Sequence, residues 1–237
     1  MRGFACLIVG SLLVSVAPLA QAAPAKTRRV NETSAGQPAD SWSYGSEISP
    51  NGRWVVFTSE STNLPGATGT HALVYVHDRE TKKTRLVSKN SAGEPANEWS
   101  FDGSISDDGR FVAFTSGATN LPGGTGTYEL VYVHDRKTKK TRLVSKTSSG
   151  EPADSWSGES SVSSNGRYVA FDSEASNLPG GAAHTGNMVY VHDRKAKKTR
   201  LVSKTSAGAP ADDDSDDGSI SPDGRFVAFE SDASNLP

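Results

Sequence analysis

ISDDGRFVAFTS, residues Ile105–Ser116, is one of four near-copies in the chain. The others are ISPNGRWVVFTS (Ile48–Ser59), VSSNGRYVAFDS (Val162–Ser173) and ISPDGRFVAFES (Ile220–Ser231). In each, Asn-Gly or Asp-Gly stands between two runs of apolar and β-branched residues. That dipeptide favours a type I′ turn, whose two central residues need φ > 0, so each copy is expected to be a tight β-hairpin. Longer registers begin at Thr27 (TRRVNETSAGQPAD), Thr84 (TRLVSKNSAGEPAN), Thr141 (TRLVSKTSSGEPAD) and Thr199 (TRLVSKTSAGAPAD), spaced by 57, 57 and 58 residues. Internal repetition of this kind sets the fold before any other feature is considered.

One period carries four strand signals. In the second they are a short strand around Gly103 to Ser106, then Arg110 to Ser116, Leu130 to Asp135 (LVYVHD) and Thr141 to Lys146 (TRLVSK). Each is rich in Val, Phe, Tyr or Thr and bounded by turn residues. The chain after its first residues has no 3.6-residue amphipathic period, so it reads as all β. In Arg53 to Ser59, Trp54 and Val56 take one face and Val55 and Phe57 the other, so both faces are apolar. Such a strand must be covered on both sides by other sheets. TRLVSK mixes Arg85 and Lys89 with Leu86 and Val87, as an outer edge strand does to resist pairing with other molecules. Repeated four-stranded antiparallel sheets stacked face to face make a β-propeller.

SPNGRWVVF, SPDGRFVAF, VYVHDR and TRLVS resemble the WD40-like (PD40) propeller repeats of the TolB type, across nearly all of residues 23–237. The resemblance implies four-stranded blades in an exported protein and says little about function, because one fold hosts many activities. Two departures stand out. Where the family's turn has Gly, this chain has Lys82, Lys139 and Lys197, so the turn either strains a lysine or takes another shape. The family's name-giving member also begins with a separate α/β domain for its Tol-Pal contacts, for which there is no room here. Its role in the Tol system is therefore not expected of this chain. Strand counting gives three complete blades (about 47 to 89, 104 to 146 and 161 to 204), two inner strands of a fourth, and an outer strand at Thr27 to Glu32. One strand is missing for four-blade closure, so an open or truncated arc is expected. Self-association that completes the blades is a further option.

The first residues read as a leader. Arg2 precedes the uncharged apolar run Phe4 to Ala20, and Ala20-Gln21-Ala22 offers a cleavage site, which makes residues 1–22 a signal peptide. The mature chain is then 23–237, without a membrane span and located in the periplasm or outside the cell. Cys6, the single cysteine, lies in that leader, so disulfides and catalytic thiols are excluded from the mature chain. A formal net charge of −2 provides no field for nucleic acid or an acidic membrane.

Several constellations are candidates for chemistry. His77, His134 and His192, each followed by Asp78, Asp135 or Asp193, have metal or acid-base side chains. They fall on third strands of separate blades, so they read as polar residues ending a strand. Trp42, Trp99 and Trp156 recur in the loop before the innermost strand, where Asp214 replaces the fourth. They are positioned either to stack on a sugar or peptide at the channel mouth or to wedge between blades. Asp212, Asp213, Asp214, Asp216 and Asp217 put five carboxylates into six residues, without the D-x-D-x-D-G spacing of an EF-hand. They form either a calcium site or a solvated acidic loop. The Asp-rich calcium loops of some relatives are not carried over, because PGATGT, PGGTGT and PGGAAHTG hold no acid. Lysine-rich turns after the third strands and acidic loops before the first strands are expected on opposite faces.

With no G-x-S-x-G, no H-E-x-x-H and no mature cysteine, the leading expectation is a non-enzymatic exported propeller, without a cofactor. It would bind an envelope protein, peptide or glycan. The alternatives are a polysaccharide hydrolase or lyase using Glu47, Asp102 and Glu159, expected at different offsets in their repeats, or a remnant without independent function.

Overall fold

The computed structural model describes residues 27–183 and 186–236; the expected signal peptide lies outside them. β1 (Ser43–Ile48), β2 (Trp54–Ser59), β3 (Leu73–Asp78) and β4 (Lys83–Leu86) form one antiparallel sheet in sequence order. β5 (Ser100–Ile105), β6 (Phe111–Ser116), β7 (Leu130–Asp135) and β8 (Lys140–Leu143) repeat it, as do β9 (Ser157–Val162), β10 (Tyr168–Ser173), β11 (Met188–Asp193) and β12 (Lys198–Leu201). β13 (Ser215–Ile220) pairs with β14 (Val227–Ser231) alone, so the architecture is an all-β propeller arc of three blades and a two-stranded fourth. Among the described residues no helix is long and apolar enough to cross a membrane.

In the three complete blades the two-faced second and third strands are buried along nearly their whole length, as their alternation requires. Phe57 stacks on Tyr75 at 5.8 Å, Phe114 on Tyr132 at 5.7 Å and Phe171 on Tyr190 at 5.6 Å, which repeats one core contact per blade. In the fourth strands Thr84 and Leu86 are buried while Lys83 and Arg85 face water. These strands are shorter than TRLVSK suggests, and the inner ones start earlier, at Ser43, Ser100, Ser157 and Ser215.

The hairpins differ from a type I′ turn. Only the glycine of each Asn/Asp-Gly pair has positive φ, as at Gly52 (70°) and Gly109 (68°). Gly52 N–H donates to the Ser49 carbonyl at 2.7 Å, and the Asn51 side chain accepts from Arg53 N–H at 3.0 Å. The Asx oxygen thus closes the loop from the ordinary side of φ space, and the glycine alone supplies the left-handed residue. In the turns after the third strands, Lys82, Lys139 and Lys197 do sit at φ of 55°, 59° and 56°, so a lysine takes the strained position usually given to glycine.

Each hairpin arginine grips the end of its own third strand. Arg53 pairs with Asp78 through two bonds of 3.1 and 2.9 Å, and Arg110–Asp135 and Arg167–Asp193 repeat the fork. Blades join through an aromatic residue at the start of the second strand. Trp54 lies under its own Arg53 at 4.5 Å and under Arg136 of the next blade at 4.2 Å. A Cβ on Gly109 would run into the Trp54 ring, so only glycine lets the blades approach this closely. Phe111 with Gly166 and Arg194, and Tyr168 with Gly224, continue the series.

Thr27 to Glu32 is not a strand and does not clasp the fourth blade. The segment after it lies on the outer strand of the first blade, where the Thr84 hydroxyl donates to the Glu32 carbonyl and Thr84 N–H donates to Ser34 Oγ at 3.2 Å. Ser91 meets Thr141 and Ser148 meets Thr199 in the same way. The first TSAG segment therefore occupies the place that each later one occupies on the blade that follows it.

Candidate functional site

Each innermost strand breaks register with its neighbour: between Tyr44 and Glu47, between Phe101 and Ser104, opposite Ala170 and Asp172, and between Asp216 and Ser219. The residue at each bulge is left-handed: Gly45 (φ 57°), Asp102 (51°), Glu159 (48°) and Asp217 (56°). A bulge re-aims its side chain, and a non-glycine residue there costs conformational energy. Asp102, Glu159 and Asp217 consequently line one hollow of ≈ 500 Å³ together with Glu47. Glu47, Asp102 and Glu159 are thus brought together. The expected difference in offset holds only for Glu47, because Asp102 and Glu159 occupy one repeat position. Asp217 shares it and was visible in the same aligned column.

These side chains reach water through the open channel, yet its walls remove enough of it to push Glu47, Asp102 and Glu159 above the usual carboxylate range. Behind them, Asp172 of β10 is fully buried beside the Glu159 carboxyl, and its Oδ1 has no hydrogen-bond partner among the described residues. Burial, reinforced by that neighbour, pushes Asp172 up to about 8. Its Oδ2 accepts from Asp217 N–H at 2.7 Å, tying the third blade to the fourth.

The aromatic rim lies at the other end of the inner strands. Trp42 and Trp99 immediately precede β1 and β5, and their carbonyls are pinned by Glu60 N–H (3.0 Å) and Gly117 N–H (3.2 Å). Their rings remain in water, with Trp42 78% exposed and Trp99 44%. Trp99 overhangs a hollow of ≈ 390 Å³ with Asp40, Ser41, Glu60 and His71, and Trp42 borders an adjoining hollow that shares Asp40 and Ser41. Trp156 is half-buried, its ring over Gly158. Tyr44 and Phe101 stand at the repeat position of Gly158 in the first two blades, where a Cβ is present.

The remaining candidates are spread out. His77, His134 and His192 are buried, each with Nδ1 2.9 to 3.0 Å from the hydroxyl of Thr84, Thr141 or Thr199, and the aspartates beside them are taken by the arginine forks. Asp212 binds the amide and hydroxyl of Ser234, both at 2.7 Å, as Asp40 binds Thr62. Asp213 accepts from the Asp214 amide, and Asp214 and Asp216 accept from Asn187, while Asp217 belongs to the channel. Among the described residues no group of three or more His, Cys, Asp and Glu side chains is placed to hold a metal ion. Lys82, Lys139 and Lys197 sit at the hairpin end of the blades, opposite the acidic rim. Glu47, Asp102 and Glu159 lie on the inner strands β1, β5 and β9 rather than in that rim's loops.

No family model and no curated protein matches the sequence. Among solved structures, a TolB-type protein from Agrobacterium tumefaciens superposes with a TM-score of 0.50 at 19% identity, covering 81% of this chain and 54% of its own. TolB from Acinetobacter baumannii gives 0.47 at 15% identity, covering 80% of this chain and 37% of its own. Oligogalacturonate lyase in complex with manganese gives 0.47 at 18%, covering 83% and 46%. The chain thus spans about half of the first of these structures and just over a third of the second. At these identities the likeness is one of fold.

Proposed function

We propose that this TolB-type propeller is a non-enzymatic recognition module that binds an envelope protein, peptide or glycan on the rim carrying Trp42 and Trp99. Residues 1–22 direct its export, and it acts in the periplasm or outside the cell. The observation that carries the reading is the exposure of two large aromatics, held by pinned backbone over adjoining hollows. Aromatic rings offer apolar contact area at little conformational cost and favour surfaces that bind. The net charge of −2 favours neither nucleic acid nor an anionic membrane as the partner. Selection from a phage-displayed peptide library, in parallel with titration of soluble peptidoglycan fragments, supplies the probe. Trp42→Ala with Trp99→Ala should weaken binding of the selected probe at least tenfold; unchanged affinity in a folded double variant overturns the reading.

The channel supports a second reading. Glu47, Asp102 and Glu159 share a hollow and are displaced upward by partial burial, as a general acid requires. In that case the protein cleaves a polysaccharide by hydrolysis or β-elimination. Release of new chain ends that disappears in Glu159→Gln would support it, and release that persists in the variant would count against it.

A further inference from the structure

The channel hollow is rich in hydrogen-bond acceptors that nothing in the fold completes. Its walls carry the carboxylates of Glu47, Asp102, Glu159 and Asp217 and, among the described residues, no Lys, Arg or His. Ser104 and Ser160 line it as well; they are only 4% and 8% exposed, and neither Oγ has a hydrogen-bond partner among the described residues. A hydroxyl buried without a partner costs the fold free energy, so native structures keep few of them. Ser104 differs in this from its own repeats. Glu47 and Ser161, at the same position in the first and third blades, accept from Ile105 N–H (3.3 Å) and Ile220 N–H (3.2 Å) of the blade that follows.

A second layer of such atoms lies behind the wall. Thr58, Thr115 and Asp172 share one repeat position on β2, β6 and β10, all are fully buried, and Thr58 Oγ1, Thr115 Oγ1 and Asp172 Oδ1 lack partners among the described residues. Two of them back glycines of the lining: a Cβ on Gly45 would stand 3.6 Å from Thr58 Oγ1, and one on Gly218 3.1 Å from Asp172 Oδ1. The channel therefore concentrates unpartnered polar atoms at the same place as its carboxylates.

A ligand that satisfies this surface must donate hydrogen bonds and bring positive charge. An aliphatic ammonium does both, with three N–H donors and no acceptor, so one group can bond a carboxylate and a serine oxygen together. The upward displacement of Glu47, Asp102 and Glu159 agrees, since their charged forms lack a counter-charge in the hollow. The carboxylates do not converge: among the described residues no three of them are placed around one metal ion. Matching them takes charges spread along a chain. The hollow of ≈ 500 Å³ also falls within the ~300 to 1,000 Å³ of small-molecule sites.

We infer that the channel hollow binds a linear aliphatic polyamine, whose ammonium groups bond Glu47, Asp102 and Glu159 and are completed by the hydroxyls of Ser104 and Ser160. The site lies on the inner strands rather than the tryptophan rim, and it rests on neither functional reading above.

Isothermal titration at physiological salt, with spermidine as the probe, tests it. Wild type should bind saturably at one site. Ser104→Ala with Ser160→Ala leaves the charge unchanged and should weaken binding about tenfold, the worth of two ordinary hydrogen bonds. Without ligand that variant should melt at or above the wild-type temperature, because the atoms it removes are unpartnered; a lower melting temperature would show that the hydroxyls hold the fold and would overturn the premise. Asp102→Asn with Glu159→Gln should abolish binding, and Asn tolerates the φ of 51° at that bulge. Butylamine, with one ammonium, should bind at least tenfold more weakly than spermidine. No saturable binding by wild type, unchanged affinity in the serine variant, or full competition by magnesium chloride at equal ionic strength would each overturn the proposal. Tighter binding of trilysine than of spermidine would also overturn it, by assigning the site to lysine side chains of a protein. The Trp42 and Trp99 test reads another surface and the release of chain ends reads catalysis, so each can fail without the others.

Discussion

Replacing Asp172 by Asn should change the pH dependence of the fold in a defined direction. Asp172 is buried at the seam between the third and fourth blades, beside Glu159, and its pKa is pushed from 3.8 to about 8, first by burial and then by that carboxyl. A carboxyl whose folded pKa is raised binds a proton that the unfolded chain has already released. Its contribution to stability is therefore complete below the unfolded pKa and is lost as pH rises toward the folded one. At about 1.4 kcal/mol per pKa unit, moving from pH ~4 to pH ~7 costs the fold on the order of 4 kcal/mol. In Asp172→Asn the amide oxygen still accepts from Asp217 N–H, while the side chain no longer titrates. Urea unfolding of both proteins across this range gives the difference in stability, from which the histidine contributions cancel. That difference should move in favour of the variant by a few kcal/mol as pH rises. A difference that does not change with pH refutes the account in which burial holds Asp172 protonated.

Other consequences follow from single contacts. Gly109→Ala places a methyl group against Trp54 at a φ of 68°, so overpacking and left-handed strain together should destabilise the protein by about 3 kcal/mol in urea unfolding. Lys139→Gly relieves a φ of 59° at an exposed turn and should gain about 0.5 to 1 kcal/mol, against glycine's own entropy cost; a loss would mean the lysine makes a contact that holds the turn. Burial pushes His134 and His192 from 6.5 down to about 4, so the stability from their neutral forms is complete above pH 6.5 and falls away toward pH 4. Replacing both with Asn should flatten the fall in melting temperature over that window.

The blades are legible because DGR-type turns, two-faced strands and a 57-residue period all require the same stacking of sheets. TRRV copies TRLV, so Thr27 to Glu32 reads as a strand, but among the described residues no third strand lies beside it to pair with. The turn type was misjudged because an Asn or Asp side chain caps the loop from ordinary φ space, which the dipeptide does not distinguish from type I′. The channel acids were half visible. Aligning the repeats puts Gly45, Asp102, Glu159 and Asp217 in one column, and that mixture of glycine with acids is the trace of a left-handed bulge. Nothing local marks Asp172 as their neighbour, because it comes from the adjacent strand. Trp156 could have been separated from Trp42 and Trp99 by the residue two places on, Gly158 against Tyr44 and Phe101, which leaves room for its ring.

The most direct test of the central claim, that recognition belongs to the tryptophan rim rather than the channel, compares one ligand against two folded variants. The affinity of the selected probe is measured for wild type, for Trp42→Ala with Trp99→Ala, and for Glu47→Gln with Asp102→Asn and Glu159→Gln. The account expects at least a tenfold loss in the tryptophan variant and wild-type affinity in the channel variant. Loss in the channel variant with binding retained in the tryptophan variant would contradict it.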